Sequence, residues 1–227
     1  AQEGERIGLA QYLVPAGTAF DKALELAKRI AQNAPLTNYA LVHALPRIAE
    51  QPADQGYLTE ALMAAIAQSA PEAKQRVRAF LDRVDELGLV IITHAGAAWG
   101  SLDERFSEPA FWEDVLQRYP DTKVVMAHLG GRWRQQTYRM CQEYPNCYTD
   151  CSALQGWLPS DPQTAISRLQ ELASLIPDKV SFGSDFPLFE LSYTTPLWTH
   201  FVRTQDWADE DTKAKLLGGN MRKVLGI

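Results

Sequence analysis

The sequence predicts an α/β fold in which a parallel sheet with its covering helices occupies residues 84–227 and a mostly helical segment precedes it. Three observations lead there. Residues 89–93, 124–127 and 180–184 form strand-like apolar runs. A continuous apolar run cannot alternate faces, so it reads as a strand buried on both sides, the habit of parallel sheets. Each run is followed by a glycine-bearing turn and a helical pattern, and alternating strands and helices predict a parallel sheet. Residues 1–83, in contrast, carry one helical pattern after another.

Taken in order, residues 7–14 make one short strand-like stretch, closed by Pro15 and Gly17. Thr18 suits the cap of the next helix, where Phe20, Ala23, Leu24, Ala27, Ile30 and Ala31 recur as a single stripe expected to be buried. Asn33 and Pro35 break it. Further helices are expected over residues 36–48, over 58–67, and from Pro71 into the 80s, with Pro71 suited to a first turn. His43 has no ligand-type residue at helical spacing and reads as a packed structural histidine.

From residue 84 the units alternate. The strand over 89–94 leads through a loop to a helix over 109–118. The strand over 124–128 passes Gly130 and Gly131 into a helix over 133–144. Pro145 and Asn146 turn into a strand over 147–151, and a helix over 164–175 precedes the strand over 180–184. Helices close the chain, with Asp209 and Asp211 placed at a helix start.

In parallel β/α folds the working residues sit just past the carboxyl ends of strands. His94, His128 and Asp185 arrive there from three strands and form a candidate metal or acid–base site. A divalent ion, zinc first among the candidates, takes imidazole nitrogen and carboxylate oxygen and keeps a position for water, whose pKa falls to about 7. His94 suits a metal ligand. Asp185 suits a ligand that also shuttles a proton. His128 suits a second ligand or the group that polarises a substrate carbonyl. Arg132 and Arg134 suit bidentate pairing with a substrate carboxylate, a solvated helix start being the other reading. Trp99, Trp133 and Trp157 follow strand ends and suit either pocket walls or core packing. Asp150 either lines the mouth or caps a turn, and His200 reads as a helix residue with no site role.

The chain has 227 residues, 46% of them hydrophobic, and a formal net charge of −6. With no basic cluster, the charge argues against nucleic acid or an anionic membrane surface as partner. No apolar run reaches the roughly 18 residues of a membrane span, and no signal-peptide pattern opens the chain. Cys147 and Cys151 share one strand-like run, about 13 Å apart at about 3.3 Å per residue, too far for a disulfide. Free thiols and a cytoplasmic location are expected. The chain opens on Ala1 rather than Met, as one that starts partway through a gene product would.

Two family resemblances join this reading. AQEGERIGLAQYLVPAG, RIAQNAPLTNYAL and APEAKQRVRAFLDR resemble, in that order, the carboxyl-terminal part of the enoyl-CoA hydratase/isomerase (crotonase) family over residues 1–83. That family's catalytic core lies upstream of this part, so the resemblance implies packing, oligomer contacts or an acyl-CoA lid and no hydratase chemistry. THAG at 93–96, AHLGG at 127–131, YPNCYTDCSA at 144–153, GSDFP at 183–187 and GGNMRKVL at 218–225 resemble the amidohydrolase-related family of TIM-barrel metal enzymes (amidohydrolase family 2).

The second resemblance implies that residues 84–227 are the carboxyl-terminal half of a (β/α)8 barrel, its fifth to eighth strands. It places the family's fifth-strand histidine on His94, its sixth-strand histidine on His128 and its eighth-strand aspartate on Asp185. It implies a metal-dependent hydrolase or non-oxidative decarboxylase of a small carboxylated or aromatic compound. The family's first-strand His-x-His pair has no counterpart among the four histidines. A join between two family pieces is the simplest account, and either a homo-oligomer or a partner chain is expected to complete the barrel. A catalytically incomplete protein and an acyl-CoA-binding module stand as the other expectations.

Overall fold

The computed structural model describes residues 1–96 and 103–227. The chain divides into two compact units, Ala1–Leu81 and Asp82–Ile227.

The first unit is helical. It holds α1 (Gln2–Arg6), α2 (Ala19–Ala31), α3 (Pro35–Tyr39), α4 (Leu45–Ile48), α5 (Ala53–Ser69) and most of α6 (Pro71–Glu86), within which the division falls. A π-helical stretch, Ala40–Ala44, joins α3 to α4. It runs up to Pro46, which has no N–H to give the carbonyl one turn back and whose ring crowds that carbonyl, so the winding widens there. Two expectations are corrected here. Residues 7–14 form turn and irregular backbone, with the Leu9 amide donating to the Gly4 carbonyl at 2.8 Å; a strand needs a partner edge, and none of the four strands pairs with this segment. The α2 stripe is exposed rather than buried, Phe20 being 75% accessible, and only Gly56 and Ala70 are buried within the unit. His43 likewise lies exposed, its ring against Tyr39 at 4.7 Å between centroids.

The second unit is built on four parallel strands in the order β1 (Val90–Thr93), β2 (Lys123–Met126), β3 (Cys147–Asp150), β4 (Val180–Ser181). Val124, Val125 and Met126 are all buried to within 1%, the two-faced burial their unbroken apolar run requires. Between the strands run α7 (Glu113–Arg118), α8 (Arg134–Glu143) and α9 (Pro162–Leu175). After β4 come α10 (Thr194–Thr204), α11 (Glu210–Ala214) and α12 (Asn220–Leu225).

Ala165, Leu169 and Leu172 of α9 fall at i, i+4 and i+7, so one face of the helix enters the core with Tyr138 and Met140 of α8. Truncating a leucine buried as completely as Leu169 to alanine costs about 2–5 kcal/mol. Two buried asparagines fix the strand starts. Asn146 Nδ2 donates to the carbonyls of Leu116, Tyr119 and Thr122, and Asn220 Nδ2 to those of Pro177 and Val180. Asp209 caps α11 by accepting from the Thr212 amide. Among the described residues the sheet ends at β1 and β4, each paired on one side only, and Ile92 of β1 is 67% exposed. Among the described residues no helix is long and apolar enough to cross a membrane.

Candidate functional site

The strands stop earlier than their apolar runs because the backbone turns sharply where the polar residues begin. After Met126 the chain enters left-handed conformation at His128 (φ 59°) and Leu129 (φ 56°), then at Gly130 and Gly131. Gly130 is required there: a Cβ would lie 2.0 Å from Oγ1 of buried Thr137. After Ser181 the Phe182 amide leaves the sheet and donates to the Leu216 carbonyl at 2.8 Å, and Asp185 follows at φ 54°. The fourth non-glycine residue with positive φ among those described is Ala153, past β3. All four line one cavity of about 710 Å³. Left-handed backbone costs a non-glycine residue about 1–2 kcal/mol, and such strain gathers at sites where geometry serves a ligand.

His94, His128 and Asp185 line the same cavity. The His94 and His128 rings meet edge to face with centroids 5.0 Å apart. His128 Nε2 stands 3.9 Å from Asp185 Oδ1, with both side chains more than four-fifths buried. That gap is beyond a hydrogen bond and within reach of an ion pair or of one small bridging group.

The far side of the His128 ring is held firmly. Its Nδ1 lies 2.8 Å from Ser152 Oγ, and its backbone amide donates to Asp150 Oδ1 at 3.0 Å. The same Asp150 oxygen accepts from the Ser152 amide at 3.0 Å and from the Ser152 hydroxyl in a short contact. Of the two readings open for Asp150 the turn cap holds: it caps the turn after β3 and also ties that turn to the end of β2. It is not among the residues that line the cavity. Gly183 makes room for the arrangement, since a Cβ there would lie 2.7 Å from the Ser152 Cβ.

Arg132 and Arg134 both line the cavity. Arg132 reaches Glu104 at 3.0 Å and stacks over the Trp133 ring at 4.5 Å. Arg134 Nε lies 3.5 Å from Glu171 Oε2 yet, though buried, forms no hydrogen bond among the described residues. Trp157 lines the cavity with Leu154 and Leu188, whereas Trp99 lies outside the described residues. His200 is exposed and elsewhere. Sequence reasoning missed Arg168, which lines the cavity from α9 and pairs with Glu171 at 2.9 Å. Its four-residue spacing from Thr164, which also lines the cavity, puts both on one helix face and was the signal available.

The donor atoms suit a divalent ion in kind: imidazole nitrogen and carboxylate oxygen. They do not make a complete set. Among the described residues no group of three or more His, Cys, Asp or Glu side chains is arranged to hold a metal ion. The 3.9 Å between His128 Nε2 and Asp185 Oδ1 also exceeds the roughly 3.4 Å between two ligands placed about 2.1 Å from a tetrahedral ion.

A family model described as amidohydrolase matches residues 23–227, and the chain belongs to that family. Among solved structures it is similar to an uncharacterised TIM-barrel protein from Bordetella bronchiseptica, with 24% identity and a TM-score of 0.52 over 66% of this chain and 50% of that one. That likeness shows the fold, α/β of TIM-barrel type. A protein assigned as an enoyl-CoA hydratase from Rhodopseudomonas palustris is 56% identical over 38% of this chain and 34% of that one, with a TM-score of 0.36. The 5-carboxyvanillate decarboxylase of Sphingomonas paucimobilis is 19% identical over 65% of this chain and 52% of that one, with a TM-score of 0.44. The chain thus spans about half the length, or less, of these structures. No curated protein matches it.

Proposed function

We propose that the chain carries the strand-end part of an amidohydrolase-type active site, working as a hydrolase or non-oxidative decarboxylase on a small carboxylated, ring-bearing compound. The observation that carries the reading is the meeting of His94, His128 and Asp185 on one cavity whose loops hold every described non-glycine residue with positive φ. In this reading His128 and Asp185 handle the proton at the reacting centre. Arg132, Arg134 and Arg168 favour an anionic substrate, and Leu154, Trp157 and Leu188 give its ring an apolar wall.

His94 and Asp185 are the residues of this chain suited to a divalent ion, zinc or a similar one. Two donors fall short of the usual three, so the reading requires further donors from outside the described residues. The edges β1 and β4 are where a second copy or a partner chain would add strands, since an exposed edge with Ile92 on it invites pairing. Residues 1–83 are read, on their motifs, as a crotonase-type carboxyl-terminal segment.

The test is turnover of a panel of aromatic and unsaturated carboxylates and lactones by the full chain, alone and with zinc or manganese, followed by product analysis. Activity lost in Asp185→Asn and in His128→Gln supports the reading. Activity that survives both substitutions sinks it.

A further inference from the structure

We infer that Ser152, backed by Asp150, is a positioning residue that sets which ring nitrogen of His128 carries the proton; the inference rests on the reading of His128 as a proton-handling group. The argument is a count of protons. Asp150 Oδ1 receives the His128 amide, the Ser152 amide and the Ser152 hydroxyl, so it acts only as an acceptor. The Ser152 hydroxyl owns one proton, and facing an oxygen that can only accept it donates that proton there. Ser152 Oγ then has only lone pairs to offer its other neighbour, His128 Nδ1 at 2.8 Å. Nδ1 must therefore be the donor, N–H to O.

A neutral imidazole has one N–H, so Nε2 is left with its lone pair. That nitrogen lies on the cavity side, 3.9 Å from Asp185 Oδ1. The pair then presents two acceptors across a gap that one group with two donor protons, such as a water, can bridge, or either of which can take the proton of a substrate hydroxyl. A neutral imidazole exposed to solvent lacks this bias. Here it comes from a hydroxyl on β3's exit turn, itself 4% exposed, and a carboxylate that binds β2's exit to β3's.

The experiment is ¹⁵N NMR of the full chain labelled at histidine, under mildly alkaline conditions where imidazole is neutral. Four histidines give four ring systems, and His128 is identified by its loss in His128→Gln. The expected result is a protonated, pyrrole-type Nδ1 and a bare, pyridine-type Nε2 on His128. Ser152→Ala should move His128 toward the opposite tautomer or a mixture, while Ser152→Thr keeps the wild-type pattern. A bare Nδ1 in the wild type overturns the inference, whether or not the variants fold. So does an unchanged tautomer in a folded Ser152→Ala protein. With substrate, Ser152→Ala should lower kcat by about 10- to 100-fold, the usual loss when an orienting partner is removed, with little change in KM. An expected tautomer in a chain that turns nothing over leaves this inference standing and removes the functional reading beneath it.

Discussion

Removing the Asp150 carboxylate should destabilise the second unit more than its half-buried position alone suggests. One oxygen, Oδ1, accepts from two backbone amides at 3.0 Å and from a hydroxyl, and these donors belong to two different strand exits. Asp150→Asn keeps a carbonyl oxygen in place but removes the charge. A hydrogen bond to a charged group contributes about 1.5–3 kcal/mol against about 1 for a neutral one, so three weakened bonds amount to a loss of about 2 kcal/mol. Asp150→Ala leaves all three donors without that acceptor. At about 1–3 kcal/mol for each unsatisfied donor, and with water able to reach a half-exposed site, the loss should be about 4 kcal/mol. The assay is urea unfolding followed by tryptophan fluorescence. All six tryptophans lie between residues 99 and 207, so the signal reports the second unit alone. An alanine variant within about 1 kcal/mol of wild type would refute the clamp, as would an asparagine variant as damaging as alanine.

Other outcomes follow from the same geometry. Ala153→Gly should raise stability by up to about 1 kcal/mol in the same urea assay, because φ of 70° strains alanine and not glycine; a clear loss would show that the strain is not there. Cys141, Cys147 and Cys151 are free and buried, and Ellman's reagent should titrate three thiols only after denaturation. Burial pushes the Cys151 thiol up to about 12, while the unfolded thiol ionises near its ordinary value of 9.0. Its contribution is therefore fully present below pH 9.0 and is lost as the pH rises toward 12. Unfolding midpoints measured across that window should fall, and should fall less in Cys151→Ala. Arg168→Met should weaken binding of a small aromatic carboxylate by about tenfold in calorimetry, the loss of one charge-assisted contact; unchanged affinity would remove Arg168 from the anion-binding set.

What the sequence revealed, and what it did not, divides along a physical line. The run around Ile91 forms β1 as read but not its two-faced burial, since Ile92 is 67% exposed. The runs around Val124 and Val180 were legible because a strand covered on both faces must be apolar throughout. The strand ends were not. Residues 127–128 and 182–184 continue those runs, yet the chain leaves the sheet where side chains and carbonyls elsewhere claim its amides: Asp150 takes His128's, and the Leu216 carbonyl takes Phe182's. Residues 7–14 failed as a strand for the complementary reason, since propensity does not supply a pairing edge. The α2 stripe told which face is apolar but not whether anything covers it. Ser152 was hidden because nothing periodic marks it; the Asp-x-Ser spacing from Asp150, which favours a side-chain-bonded turn, was the trace it left.

The candidate site is therefore a property of strand exits rather than of strands, and this separates what holds its imidazole from what would hold an ion. His128, Ala153 and Asp185 hold left-handed backbone on three successive exits. Such conformations persist only where surrounding structure over-determines them. On the first two exits that determination comes from within the unit, through Asp150 and Ser152, with Gly183 of the third exit leaving the space they occupy. The hydrogen bonds that hold the His128 ring and amide thus come from residues of the same unit, Asp150 and Ser152. Metal binding differs, because it is counted in ligands, and the two donors best suited to it, His94 and Asp185, come from the two edge strands of the sheet. An ion held between opposite edges depends on whatever closes the gap between them. An imidazole held by its immediate neighbours does not.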